Sequence, residues 1–348
     1  MSTLAASARP RRDMRPLPWR RMAWVIWRQH RLALIGVLAT LSALSLGLWL
    51  LGLHLHNVYA AAAACRPESS SFCAGLANRF SGTDRLLADG YLLQVVPALV
   101  GAFMGAPLLA REFESRTFRY AWTQGLGRSR WTVAKLVGLA AVVVLASAAF
   151  GAVLSWYYHP YFAAGNENLA FYEKSPLSGG LFDLRGIALP AWTLAAFAVG
   201  GLAGTLIRRI VPAILATLAV YAGLAFAAGL FLRERYMTPA LTSHLQLLEG
   251  PQTKPFGTDW IISQTYARGG HTVAATTVER FLRGAPEGNL GKGFDPTQYL
   301  IQHGYTIWTR YQPAGRFWTF QWIEGGWLLA LSALLLCGTV WLVRRRAT

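Results

Sequence analysis

The sequence predicts an all-α integral membrane protein with about six transmembrane helices, both ends on the cytoplasmic side and an extended extracytoplasmic loop before the last span. Three observations predict it. Apolar residues make up 54% of the 348-residue chain and charged residues only 14%, the latter gathered into a few blocks. Runs long enough for a helix to cross a bilayer core of about 30 Å recur along the chain, and none of them holds an Asp, Glu, Lys or Arg. The Lys/Arg surplus falls on alternate connections, the pattern expected when basic loops stay in the cytoplasm.

Taken in order, residues 1–18 carry Pro10, Pro16, Pro18 and scattered arginines without an apolar period, and read as a disordered basic tail. Trp19, Trp24 and Trp27 then alternate with Arg20, Arg21, Arg28 and Arg31. Such a segment holds indoles at headgroup level and guanidinium groups near anionic membrane lipid. It is either an interfacial elbow helix closing a cytoplasmic segment 1–31 or the plain anchor of the first span. The first span covers residues 32–53. Its apolar run exceeds the roughly 7–15 residues of a signal-peptide core and reads as a retained anchor. The next four cover 92–110, 136–158, 187–207 and 210–232, so that five spans fill 32–232. Only Arg208 and Arg209 separate the fourth from the fifth, which predicts a tight helical hairpin, and Pro212 stands near a helix start where its missing N–H does no harm. The last span covers 325–343, before a basic tail at 344–348. Small residues at four-residue spacing, Gly101 and Gly105 in the second span and Ala196, Gly200 and Gly204 in the fourth, mark surfaces where helices approach closely.

The formal charge of +17 would suit a nucleic-acid binder, but its distribution makes it a topology signal. The N-terminal arginines, the loop between Arg111 and Lys135, the Arg208/Arg209 pair and the Arg344 to Arg346 tail account for essentially all of it, and the other connections are nearly balanced. No nucleic-acid partner is expected. The segment 233–324 carries Trp260, Phe281, Trp308, Tyr311, Phe317, Trp318 and Trp322 among turn-forming Gly and Pro, enough apolar material for a small external cap. Cys65 and Cys73 share the first external loop, an oxidising location, at a spacing that can close a small ring, and a disulfide between them is expected. Cys337 reads as a small apolar residue within the last span.

The most informative stretch is the cytoplasmic loop 111–131. Arg111-Glu112-Phe113-Glu114-Ser115-Arg116-Thr117-Phe118 opens it, and Gly125, Gly127, Arg128, Arg130 and Trp131 close it. Glu112, Arg116 and Arg119 lie at i, i+4 and i+7 on one helical face, with the Glu N-terminal to its Arg in the favourable order. Read blandly, it is a solvated basic loop. An Arg-Glu-Phe-Glu-x-x-Thr-Phe motif directly after the second of six spans, with its Gly-x-x-Arg-x-Arg-Trp return, resembles the permease subunits of type-2 ATP-binding-cassette exporters. Trp122-Thr123-Gln124-Gly125 and the run Arg316 to Glu324 are similar to actinobacterial members in particular. The resemblance implies a coupling helix that docks into a separate cytoplasmic ATP-binding-cassette ATPase subunit, with Glu112, Glu114, Arg116 and Thr117 as the coupling positions. It also implies a second permease copy or paralogue, and ATP bound on the partner rather than on this chain. The long segment before the last span departs from the family pattern.

Other classes find little support. A proton- or cation-coupled carrier needs ionisable groups within its spans, and the apolar runs hold none. No phosphate-binding Gly-x-x-x-x-Gly-Lys-Ser/Thr occurs, so any ATP hydrolysis belongs to another chain. His54 and His56 form a weak metal signal without a third ligand, and no nucleophile elbow is present, so no metal, cofactor or catalytic residue is expected. The expectation is a non-enzymatic, multi-pass cell-membrane permease for an amphipathic or hydrophobic substrate. The alternative is a membrane assembly or sensor protein that binds a partner through its external loop.

Overall fold

The computed structural model describes residues 19–66, 70–82, 90–114, 128–166, 175–243, 258–284 and 296–346. Helix α1 runs unbroken over Trp19–Ala64. Its 46 residues reach about 69 Å, more than twice a bilayer core, and the Trp24 and Arg28 segment continues directly into the first apolar run. A short helix α2, Ser71–Gly82, folds back toward α1, and Cys65 and Cys73 are joined by a disulfide with Cα atoms 5.6 Å apart. The remaining long apolar helices are α3 (Leu92–Glu114), α4 (Arg128–Asn166), α5 (Ala188–Ile207), α6 (Ile210–Arg235) and a final helix over Phe317–Arg346. With α1 they make, among the described residues, six helices long and apolar enough to cross a membrane.

Helix α5 is the hub. It packs against α3, α4, α6 and the final helix, and most of its residues are buried. The packing rests on small residues. A Cβ added at Gly101 would stand 2.5 Å from the backbone of Ala196, and one at Gly200 would stand 2.5 Å from the Gly101 carbonyl oxygen. One at Gly105 would lie 2.5 Å from the carbonyl oxygen of Phe197. The two small-residue stripes therefore meet each other within one chain. Gly101–Gly105 is also a π-helical turn, and a second occupies Ala228–Leu232 near the end of α6. Such turns shift the phase of the residues that follow.

The expectation of an all-α chain is corrected at the segment between α6 and the last span. There β1 (Ala240–Ser243), β2 (Trp260–Arg268), β3 (His271–Val273) and β4 (Tyr305–Gln312) form an antiparallel sheet in the order β1-β4-β2-β3. The physical reason is local. Strand β4 alternates β-branched and aromatic residues, with Tyr305, Ile307 and Thr309 buried. Gly269 and Gly270, at φ of 58° and 83°, supply the two left-handed positions of a tight hairpin between β2 and β3. Helix α7 (Ala275–Arg283) covers the sheet together with α8 (Pro296–Gln302), through a core of Val278, Leu300, Tyr305 and Ile307. The final helix is α9. It begins at Phe317, and Trp318 and Trp322 on its first turns are exposed, as suits residues at headgroup level.

Candidate functional site

The chain crosses back and forth, so α3 and α5 start, and α4 and α6 end, on the side that carries the sheet. At this sheet end Arg233, placed after the π-turn of α6, is 1% exposed and lies between two carboxylates. Its Nε donates to Glu324 Oε2 at 3.2 Å, and Nη2 donates to Glu324 Oε1 at 3.0 Å and to Asp183 Oδ1. The guanidinium also lies over the Phe182 ring, 4.5 Å from its centroid. Glu324 is fully buried and receives two further donors, Trp192 Nε1 at 2.8 Å and the Tyr236 hydroxyl at 3.1 Å. Gln94 Nε2 donates to Asp183 Oδ2 at 3.2 Å. Burial pushes the Asp183 carboxyl well above the usual carboxylate range against the pull of Arg233, and the charge of Glu324 raises it further. One turn before Glu324, Gln321 Oε1 accepts the N–H groups of Ile187 and Ala188, satisfying orphan donors at the start of α5. Beside the cluster opens a cavity of about 570 Å³ lined by Gln94, Asp183, Trp192, Leu218, Tyr221 and Phe226 among others.

At the opposite end, α3 stops and α4 starts. Lys135, 2% exposed, reaches across to Glu112 at 2.5 Å and also donates to the Leu108 carbonyl at 3.3 Å. Glu114 Oε2 accepts the N–H of Ile210 at 3.3 Å, placing a negative charge at the N-terminus of α6 where the helix dipole favours it. Between α5 and α6, Arg208 adopts a left-handed conformation (φ 59°) and ends α5, with its guanidinium 5.6 Å from the centroid of Phe113. The end of α3 is thus tied to α4 by an ion pair and to the α5–α6 link by a cap and a cation–π contact.

Residues 27–233 match the family described as ABC-2 membrane transporter related, more than half of the chain. The chain belongs to this family. It is an ABC transporter permease by family and a multi-pass membrane protein by its six apolar helices. No curated protein and no solved structure matches it. The ABC-2 match ends at Arg233, so the sheet and α9, with Glu324, lie beyond it.

Within this ABC-2 chain, the four positions singled out for coupling divide. Glu112 is committed to Lys135 and Glu114 to the start of α6, whereas Arg116 and Thr117 lie outside the described residues. Among the described residues no cluster of three or more His, Cys, Asp or Glu could hold a metal ion. Sequence reasoning missed Asp183, Arg233, Glu324 and Lys135. Spans delimited by the absence of charge stop at Leu232 and start again at Gly325, one residue short of Arg233 and Glu324, and that adjacency was the available signal.

Proposed function

We propose that this chain is the membrane subunit of an ATP-driven exporter in the cell membrane, moving an amphipathic or hydrophobic substrate while a separate cytoplasmic ATP-binding-cassette ATPase subunit hydrolyses ATP. In this reading both termini and the loop 111–131 are cytoplasmic, the sheet is extracytoplasmic, and a second copy or a paralogue completes the route. The observation that carries it is the bracing of the α3 end beside that loop. A push on the loop meets α3 at Glu112, Phe113 and Glu114, and those residues pass it to α4 through Lys135 and to the α5–α6 link through Arg208 and Ile210. A loop joined only to α3 would move one helix; this one bears on four. The permease supplies geometry, and ATP supplies the energy from the partner.

The test is affinity purification in mild detergent of wild type beside Glu114→Ala, with identification of the cytoplasmic proteins that stay bound. Glu114 is chosen because it is exposed, so its loss reports on docking more directly than loss of the half-buried Glu112. Recovery of an ATPase that the change weakens supports the reading. With no ATPase in either sample the exporter is abandoned for a partner-binding role of the sheet, which lies outside the family match.

A further inference from the structure

We propose that the cavity at the sheet end is a binding site for a hydrophobic organic cation, which pairs with the Asp183 carboxylate and packs against Trp192 and Tyr221. That this cation is cargo rests on the exporter reading above; that it binds does not.

The charges beside the cavity do not balance. Arg233 brings one positive charge, whereas Asp183 and Glu324 bring two negative ones, and among the described residues Arg233 is the only cation paired with either carboxylate. Glu324 is closed off. It is wholly buried, and both of its oxygens are taken by Arg233, Trp192 and Tyr236, so that Arg233 and Glu324 make a neutral, satisfied pair. Asp183 is left as the surplus. Its side chain keeps 20% exposure and lines the cavity, where Arg233 donates to one oxygen and Gln94 to the other, with Trp192 and Glu324 also within hydrogen-bonding reach. A poorly solvated carboxylate that shares its one counter-charge with a second carboxylate either takes up a proton or draws a cation.

The cavity supplies the rest of the chemistry. Its volume of about 570 Å³ falls within the range of small-molecule pockets, roughly 300–1,000 Å³. The rings of Trp192 and Tyr221 meet edge to face at 5.6 Å and form an aromatic corner beside the acid, and ring faces attract cations. Pro97, Leu218, Ala225 and Phe226 supply apolar wall. The two carboxylates repel an anion of the same shape. The groups facing Asp183 are Arg233, Glu324, Gln94, Trp192 and Tyr221. Arg185, although near in sequence, lies over Phe162 and Phe317 and does not line the cavity. Burial favours the protonated form of Asp183, so a proton and an arriving cation compete for the carboxylate.

The experiment uses the purified full-length chain without any ATPase and measures equilibrium binding of tetraphenylphosphonium and its isosteric anion tetraphenylborate. Expected are saturable binding of the cation, no saturable binding of the anion, and cation affinity that tightens as pH rises. Asp183→Asn, which leaves the neutral Arg233–Glu324 pair in place, should weaken the cation about tenfold or more and flatten its pH dependence. Ala222→Trp, which fills the cavity from an exposed position on its wall, should abolish binding while leaving the melting temperature near wild type. Equal affinity for the two ions, or unchanged cation affinity in Asp183→Asn, overturns the proposal. Those failures leave the exporter reading standing, whereas a failure to recover an ATPase ends that reading and leaves the binding result intact.

Discussion

Lys135 Nζ meets the Glu112 carboxylate at 2.5 Å, joining the first turns of α4 to the last turn of α3 through a lysine that is almost wholly buried. A pair so placed gains little over an apolar replacement but is costly to break on one side, because the survivor keeps its desolvation penalty. Lys135→Met and Glu112→Leu should each cost about 3–5 kcal/mol, and the double substitution should recover much of that loss. Thermal denaturation of the four proteins in one detergent checks this; additive losses in the double variant would show that the two residues act separately.

The glycine contacts between α3 and α5 make a graded series. Gly200→Ala drives a methyl into the backbone of α3 and should destabilise by about 1–3 kcal/mol, more for Gly200→Val. Gly223, on α6, has open space where its Cβ would be, and Gly223→Ala should be neutral or slightly stabilising through helix propensity. Apparent melting temperatures of the set decide whether close approach, rather than helix propensity, governs the α3–α5 contact.

The same contrast explains what could be read in the amino-acid string. Long apolar runs announce themselves, since a helix in lipid has no other way to satisfy its backbone, and the Gly101 and Gly200 stripes repeat at helical spacing. The charge cluster could not be read so simply. Arg233 and Glu324 lie 91 residues apart, and each interrupts the apolar run by which a span is recognised, so the rule that found the helices trimmed away their ends. That they face each other depends on tertiary placement and on the π-turn before Arg233, neither of which is written in local composition. The sheet did carry a local signal, Gly269-Gly270 between two strand-like runs, but β1 and β4 pair across more than sixty residues of chain.

That hairpin gives a third prediction. Gly270 holds a φ of 83°, a region L-residues enter at a cost of about 1–2 kcal/mol, so Gly270→Val should loosen the β2–β3 hairpin although its Cβ would meet nothing. Gly270→Asn should be milder, because asparagine tolerates left-handed backbone. Hydrogen exchange of the β2 and β3 amides, compared between the two variants, reads the effect directly. Equal protection in both would mean that the turn does not limit the hairpin.

The charge cluster yields the most severe expectation. Arg233→Met removes the guanidinium between Asp183 and Glu324 and leaves Glu324, with no solvent to turn to, facing only the Trp192 and Tyr236 donors. An uncompensated buried charge of this kind costs about 3–5 kcal/mol, enough to prevent most of the chain from reaching a monodisperse folded state. Removing the charge that Arg233 balanced should restore it. In Arg233→Met/Glu324→Gln the glutamine side-chain oxygen still accepts from Trp192 Nε1 while the buried negative charge is gone, so the double variant should recover most of the folded yield by size-exclusion chromatography. If the double variant folds no better than Arg233→Met alone, the guanidinium acts by packing over Phe182, 4.5 Å away, rather than by balancing charge.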